Sequence, residues 1–274
     1  MLRGLYPKQL IRVMFLVVFI LILQGSLKEV FAGPIAIQEP KGLLGGDKFR
    51  IIFVTPGTTN ATSSDINTYD AFVNSQAGGA TYNGQLIHWS AIGSTATVDA
   101  RDHIGQTGSG VYMADGTQVA ASVRQAPGGL WWGEPLLAQP IQDLSGNQYT
   151  SGFVWTGTCG IGTQYSTLVS GYGVVNWGLG SNVILTVNNI VYDDLIEVGQ
   201  LGSTPALSGG DYAWISRGFT EGKQLNTNQY QMYGISEVLT VVPEPSTLLS
   251  SVVGILIAIL VQRSARRHSI PQLD

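Results

Sequence analysis

The stretch KFRIIFVT, residues Lys48–Thr55, decides how the chain is read. Its β-branched and aromatic residues predict a strand. Thr62-Ser63-Ser64-Asp65 follows and supplies side chains suited to a helix cap. Ile66, Tyr69, Phe72 and Val73 then fall at i, i+3, i+6 and i+7, one apolar helical face that ends before Gly78-Gly79. Beyond this helix the segments Leu86–Ile92, Val111–Met113, Phe153–Thr156, Val183–Val187 and Gln231–Val242 read as strands. Asp115-Gly116, between two apolar stretches, is the best hairpin turn in the chain. One early helix followed by short antiparallel strands and long glycine-rich loops predicts an α+β domain, with a β-sandwich as the alternative. No repeat with a period of about 20–50 residues is present, which disfavours solenoids and propellers.

The two ends carry different information. Arg3, Lys8 and Arg12 precede the uncharged apolar run Val13–Leu23, the pattern of a signal peptide over residues 1–32. Val30-Phe31-Ala32 offers small or tolerated residues where signal peptidase reads, so cleavage is expected after Ala32. An uncleaved N-terminal anchor is the alternative, kept open by the charged Lys28-Glu29. Residues 33–47 read as an extended lead-in and 48–242 as a single extracellular domain, with a turn-rich loose region at 200–210. In the tail, 243–274, Pro243-Glu244-Pro245 precedes an apolar run Leu248–Val261 and the basic residues Arg263, Arg266 and Arg267. Prolines break helices, so an apolar helix starts after them, and the basic flank stops on the cytoplasmic side. Fourteen residues at about 1.5 Å each span about 21 Å, short of a hydrocarbon core of about 30 Å.

Motif, apolar run and basic end together resemble the PEP-CTERM tail of Gram-negative bacteria, carried here by VPEPSTL at 242–248. The resemblance implies signal peptidase and an exosortase as processing partners, the latter cutting near Pro243–Pro245 and releasing or transferring the exported part. It implies transient residence in the inner membrane and a destination at the cell surface or outside it, in contact with exopolysaccharide or other surface proteins. A C-terminal anchor that is never cut is the competing reading.

Residues 33–242 hold seven basic and fifteen acidic side chains, a net −8 against −4 for the whole chain. That balance argues against nucleic acid or anionic membrane as partners, which need basic patches. Cys159 is the only cysteine, so no intrachain disulfide forms. Burial, pairing between chains, metal binding and reactivity are all open to it, with burial favoured.

Phe53-Val54-Thr55, Trp89-Ser90-Ala91-Ile92-Gly93-Ser94-Thr95, Val98-Asp99-Ala100-Arg101-Asp102, Val111-Tyr112 with Asp115-Gly116, and Val154-Trp155-Thr156-Gly157-Thr158 together resemble a divergent, endostatin-like branch of the C-type-lectin-like fold. The resemblance covers roughly residues 48–180, with Asn176-Trp177 and Tyr233-Gly234-Ile235-Ser236 as later landmarks. Sugar-binding members carry Glu-Pro-Asn or Gln-Pro-Asp and Trp-Asn-Asp triplets that hold calcium. Here Glu134-Pro135-Leu136 lacks the third ligand and Asn176-Trp177-Gly178 has the wrong order. Calcium needs six to eight oxygens, so no calcium, no other metal and no cofactor is expected.

Asp99-Ala100-Arg101-Asp102-His103 is the densest ionisable group. It reads either as an acid pair with a histidine for hydrolysis or, preferably, as a structural cluster in which Asp99 and Asp102 clamp Arg101 and a neighbouring loop. His88 reads as a half-buried strand position, and Asp193-Asp194 with Glu197 as a solvated acidic turn. No Gly-x-Ser-x-Gly elbow and no phosphate-cradling glycine pattern appears, so no catalytic residues are assigned and no enzyme is expected. Trp131 and Trp132 are the candidate ligand surface. Neighbours on a strand face opposite ways, and an exposed aromatic ring stacks on sugars or protein; core packing for both is the competing reading. These features predict a non-enzymatic exported surface or matrix protein associated with exopolysaccharide or biofilm. The alternatives are a glycan- or protein-binding lectin-like module and, more weakly, a secreted hydrolase.

Overall fold

Phe49 to Val54 are all buried, with Lys48 exposed at the strand's start. A run without polar alternation is the pattern of a strand covered on both faces, and this strand lies inside the main sheet of its unit. The structure, a computed structural model, describes residues 34–132, 136–169, 173–182, 184–187, 190–201, 213–216 and 223–243. The chain divides into two units, residues 1–35 and 36–274; apart from Pro34 and Ile35 the first lies outside the described residues. The predicted signal peptide with Ala32, Glu134 and Pro135, most of the loose region at 200–210, Glu244, Pro245, the run 248–261, Arg263, Arg266 and Arg267 also lie outside them.

In chain order the second unit forms β1 (Lys48–Val54), α1 (Ile66–Gln76), β2 (Thr81–Tyr82), β3 (Gln85–Leu86), β4 (Trp89–Ala91) and α2 (Ala100–His103). There follow β5 (Gly110–Tyr112), β6 (Gln118–Ala120), β7 (Phe153–Trp155), β8 (Ser166–Val169), β9 (Gly173–Asn176), β10 (Ile184–Val187) and β11 (Ile190–Asp193). The last are β12 (Leu195–Gln200), β13 (Lys223–Leu225), β14 (Gln231–Ser236) and β15 (Leu239–Thr240). Nine strands make one mixed sheet in the order β13-β12-β7-β14-β1-β5-β6, with β15 added to β1 and β4 to β14. β1 runs antiparallel to β14, Phe53 opposite Gly234, and parallel to β5, Arg50 opposite Val111. β14 in turn runs parallel to β7. The Asp115-Gly116 turn joins β5 to β6, with Gly116 at φ 86° and Thr117 N–H donating to Asp115 Oδ1 at 2.9 Å.

This architecture corrects the α+β expectation, and with it the C-type-lectin-like and β-sandwich readings. The described residues hold one eleven-residue helix and a single helical turn beside a nine-stranded sheet that mixes parallel and antiparallel pairs. Strands two or three residues long carry almost no propensity of their own. Pairing makes them strands, so Gln118–Ala120 and Lys223–Leu225, which carry little strand signal of their own, belong to the sheet.

One face of the β1–β14 pair receives α1. Asp65 Oδ1 accepts from Asn67 N–H at 3.0 Å and caps the helix. Ile66, Tyr69 and Val73 are its buried residues, with Phe72 only half-buried. The seat depends on Gly234, where a Cβ would stand inside the contact distance of Phe53 Cε1 and Val73 Cγ1. On the other face Ile52, Val54, Val111, Trp131, Trp214, Tyr233 and Ile235 belong to one continuous core cluster. Arg50, also buried, donates from Nε to Ser236 O and from Nη1 to Ile104 O, both at 2.6 Å. Burial pulls its pKa below the ordinary guanidinium value, with Glu237 opposing. The lead-in is fixed to the body: Ile37 N–H donates to Thr81 O at 2.8 Å, and Tyr82 O–H to Glu39 Oε1 at 2.6 Å.

Two outcomes follow from this packing. Gly234→Ala overpacks the helix seat and should lower stability in urea unfolding by about 1–3 kcal/mol; a change within error would remove the argument for a bare position. Tyr82 has its pKa pushed up to about 12 by burial and then by Glu39, and burial raises Tyr69 and Tyr233 as well. An unfolded tyrosine ionises at about 10. The neutral phenols therefore contribute stability that is complete below about pH 10 and is lost as pH rises through the folded values. Tyrosinate absorbance should show a late step coincident with unfolding; ionisation of every tyrosine near pH 10 in an intact fold would contradict it.

Candidate functional site

The chain after β6 doubles back on itself over 121–132. Ala121 N–H donates to Gly128 O at 2.8 Å, Leu130 N–H to Ser122 O at 2.9 Å, and Trp131 N–H to Arg124 O at 3.3 Å. Gly129 permits this reversal, because a Cβ there would collide with the Arg124 carbonyl. The two tryptophans at its end part company. Trp131 is fully buried, stacked on Trp214 with centroids 6.0 Å apart and planes at 28°. Gly162 lies against its ring, where a Cβ would stand 2.7 Å from Trp131 Cδ2. Trp131 therefore cannot belong to a ligand surface, which corrects that half of the sequence assignment. Trp132 is 39% exposed.

Next to this loop lies an open groove of about 720 Å³ whose polar lining includes Asp47, Lys48 at the start of β1, Gln106, Tyr112, Gln118 and Arg124. Val123 N–H donates to Thr107 O at 2.9 Å and ties the loop to the groove's wall. Arg124 spreads over Gly108, whose Cβ would lie 3.4 Å from Nη2. Tyr112 lies back over Gly110, where a Cβ would stand 2.8 Å from Cε2. Burial, and then Asp47, raise the pKa of its phenol. Asp47 Oδ2 accepts from Leu44 N–H at 2.8 Å. Nothing in the sequence brought these residues together, since they come from three separate stretches of chain.

Asp99, Asp102 and His103 do line one open hollow, of about 500 Å³. Their partners lie elsewhere. Asp99 Oδ1 accepts from Gln164 N–H at 2.6 Å and fixes the 157–164 loop. His103 Nε2 stands 2.9 Å from Asp70 Oδ1, which also accepts from Ala91 N–H at 2.7 Å. Arg101 Nε is 3.7 Å from Asp102, which is exposed, while Nη1 donates to Gln125 Oε1 at 3.2 Å. Asp99 thus clamps the neighbouring loop but not Arg101, a correction to the expected cluster. Among the described residues no Ser, Thr or Cys hydrogen-bonds His103, and no three His, Cys, Asp or Glu side chains stand close enough to hold a metal.

Two further expectations change. His88 is exposed rather than half-buried. Glu197 lies in β12, fully buried, and takes Lys223 Nζ at 2.8 Å and Ser216 O–H at 2.8 Å. Lys223 also sits over the rings of Tyr165 and Trp177, 4.1 and 4.7 Å from their centroids. Burial lowers its pKa, with Glu197 opposing. The warning in the sequence is a single charge within the apolar run LIEV; its partner twenty-six residues on is set by the β12–β13 register, Glu197 opposite Lys223. Cys159 is half-buried beside a tight turn, its Sγ 2.9 Å from Thr163 Oγ1.

No family model matches the chain, and neither does any curated protein.

The two tryptophans should separate in chemical denaturation. Trp131→Ala should cost about 3–5 kcal/mol, whereas Trp132→Ala should stay within about 0.5 kcal/mol of the parent. Equal losses would contradict the division of roles between them.

Proposed function

We propose that this chain is a non-enzymatic exported protein of a Gram-negative envelope, trimmed by an exosortase at Pro243-Glu244-Pro245 and held at the surface or in the extracellular matrix. The observation that carries the reading is the position of the motif relative to the fold. Gly46 N–H donates to Val241 O and Val241 N–H to Asp47 O, each at 2.9 Å, and among the described residues these are the last backbone bonds joining the C-terminal strand to the body. Two residues later comes Pro243, exposed, its ring against Gly45. The last paired strand among the described residues, β15, thus ends at Thr240, ahead of the motif. The acidic body, which disfavours nucleic acid and anionic lipid, and the engagement of Asp99 and His103 with structural partners support the same reading. Signal peptidase and exosortase act in export, and exopolysaccharide or other surface proteins are the partners afterwards.

Intact-mass and terminal-peptide analysis of protein from envelope and culture fluid tests this. The mature species should begin after Ala32 and end close to Pro243–Pro245, and replacing all three motif residues with alanine should retain the tail. A mature protein still carrying Arg263, Arg266 and Arg267 would rule out the processing.

A further inference from the structure

We propose that the groove beside β1 and β5 binds an acidic polysaccharide through its carboxylates, with Arg124 as the clamp, Lys48 as the second cation and Tyr112 as the platform for a sugar ring. The inference rests on the surface reading above only for where such a polymer is met.

The charge distribution comes first. Of the seven basic residues in 33–242, Arg50 and Lys223 are buried and occupied by partners within the fold. Two of the remaining ones, Lys48 and Arg124, converge on this groove. Both are exposed, and neither forms an ion pair among the described residues. Among the described lining residues the one carboxylate is Asp47, which already accepts a backbone N–H. A body of net −8 repels a polyanion over most of its surface, and with a screening length of about 8 Å at physiological salt the local sign decides where one settles. Guanidinium matches a carboxylate with two parallel N–H donors, which makes arginine the side chain suited to a uronate.

The lining supplies what a sugar needs besides charge. Gln106 and Gln118 offer amide donors and acceptors for hydroxyls. The half-buried Tyr112 ring, laid back over a glycine, offers an apolar face with a polar tip. The cavity, about 720 Å³, falls within the range of about 300–1,000 Å³ usual for small-ligand clefts and is open at the surface, as a polymer passing through requires. The clamp is separable from the fold. Arg124 holds Trp131 through its backbone carbonyl, so removing the guanidinium leaves the loop's hydrogen bonds in place.

Calorimetric titration of the full-length chain in detergent with short oligogalacturonates tests the proposal, beside their methyl esters, neutral glucose oligomers and inorganic phosphate. The acidic oligomers should bind, more weakly as salt is raised. Methyl esterification or Arg124→Ala should each weaken binding about tenfold to a hundredfold, the loss of one or two charge-assisted hydrogen bonds. Tyr112→Ala should weaken acid and ester alike. Equal affinity for acid and ester, equal competition by phosphate, absence of binding, or an unchanged Arg124→Ala variant would each overturn it. The ester comparison uses the unaltered protein and holds even where a variant fails to fold. Failure here with correct trimming in the mass analysis removes only the ligand; an untrimmed chain that still binds removes only the processing.

Discussion

Everything in this fold depends on a strand that has no free edge and no free face. β1 is paired on one side with β14 and β15 and on the other with β5, while α1 covers one surface and the tryptophan-rich cluster the other. The enclosed part of such a strand must be apolar, and the single buried charge it contains, Arg50, is tolerated because two backbone carbonyls receive it. Burying a cation without such acceptors would cost several kcal/mol. Gly234 completes the arrangement by leaving room for the helix directly opposite Phe53. With no disulfide available, the core carries the stability that many exported domains draw from cross-links.

The parts of the fold that were legible in the sequence are those specified locally. KFRIIFVT announces a strand, Asp65 and the spacing of Ile66, Tyr69 and Val73 announce the helix, and Asp115-Gly116 announces a turn. The sheet's breadth was not legible. β4 and β7 are three residues each, and the strands they pair with, β14 and β12, lie far along the chain. Glu197 shows the same limit in a side chain: it belongs to an acidic-looking stretch, yet the β12–β13 register puts Lys223 opposite it and closes both away from water. The site follows the pattern. The paired tryptophans were visible as an alternation, but Lys48, Tyr112 and Arg124 meet only once β1, β5 and the loop after β6 are in place.

That loop has two jobs that its sequence divides cleanly. Its end drives Trp131 into the core against Trp214, and this anchorage fixes the backbone on which Arg124 is carried. A rigid support of this kind reduces the conformational freedom an exposed arginine would lose on meeting a ligand. The stacking in the core and the chemistry at the surface are therefore linked through a few residues of chain.

The meeting of the chain's entrance and exit has a mechanical side. β15 is joined to β1 at only two registers, Lys48 with Thr240 and Phe49 with Leu239, and the backbone bonds of Val241 to Gly46 and Asp47 lie just beyond. A pull delivered through Pro243 reaches these few bonds first, before the β1–β14 pairing that precedes them in the chain. Asp47 and Lys48 are also groove residues. A protein held by this end in flowing liquid would feel the strain first beside the groove, before its core is disturbed.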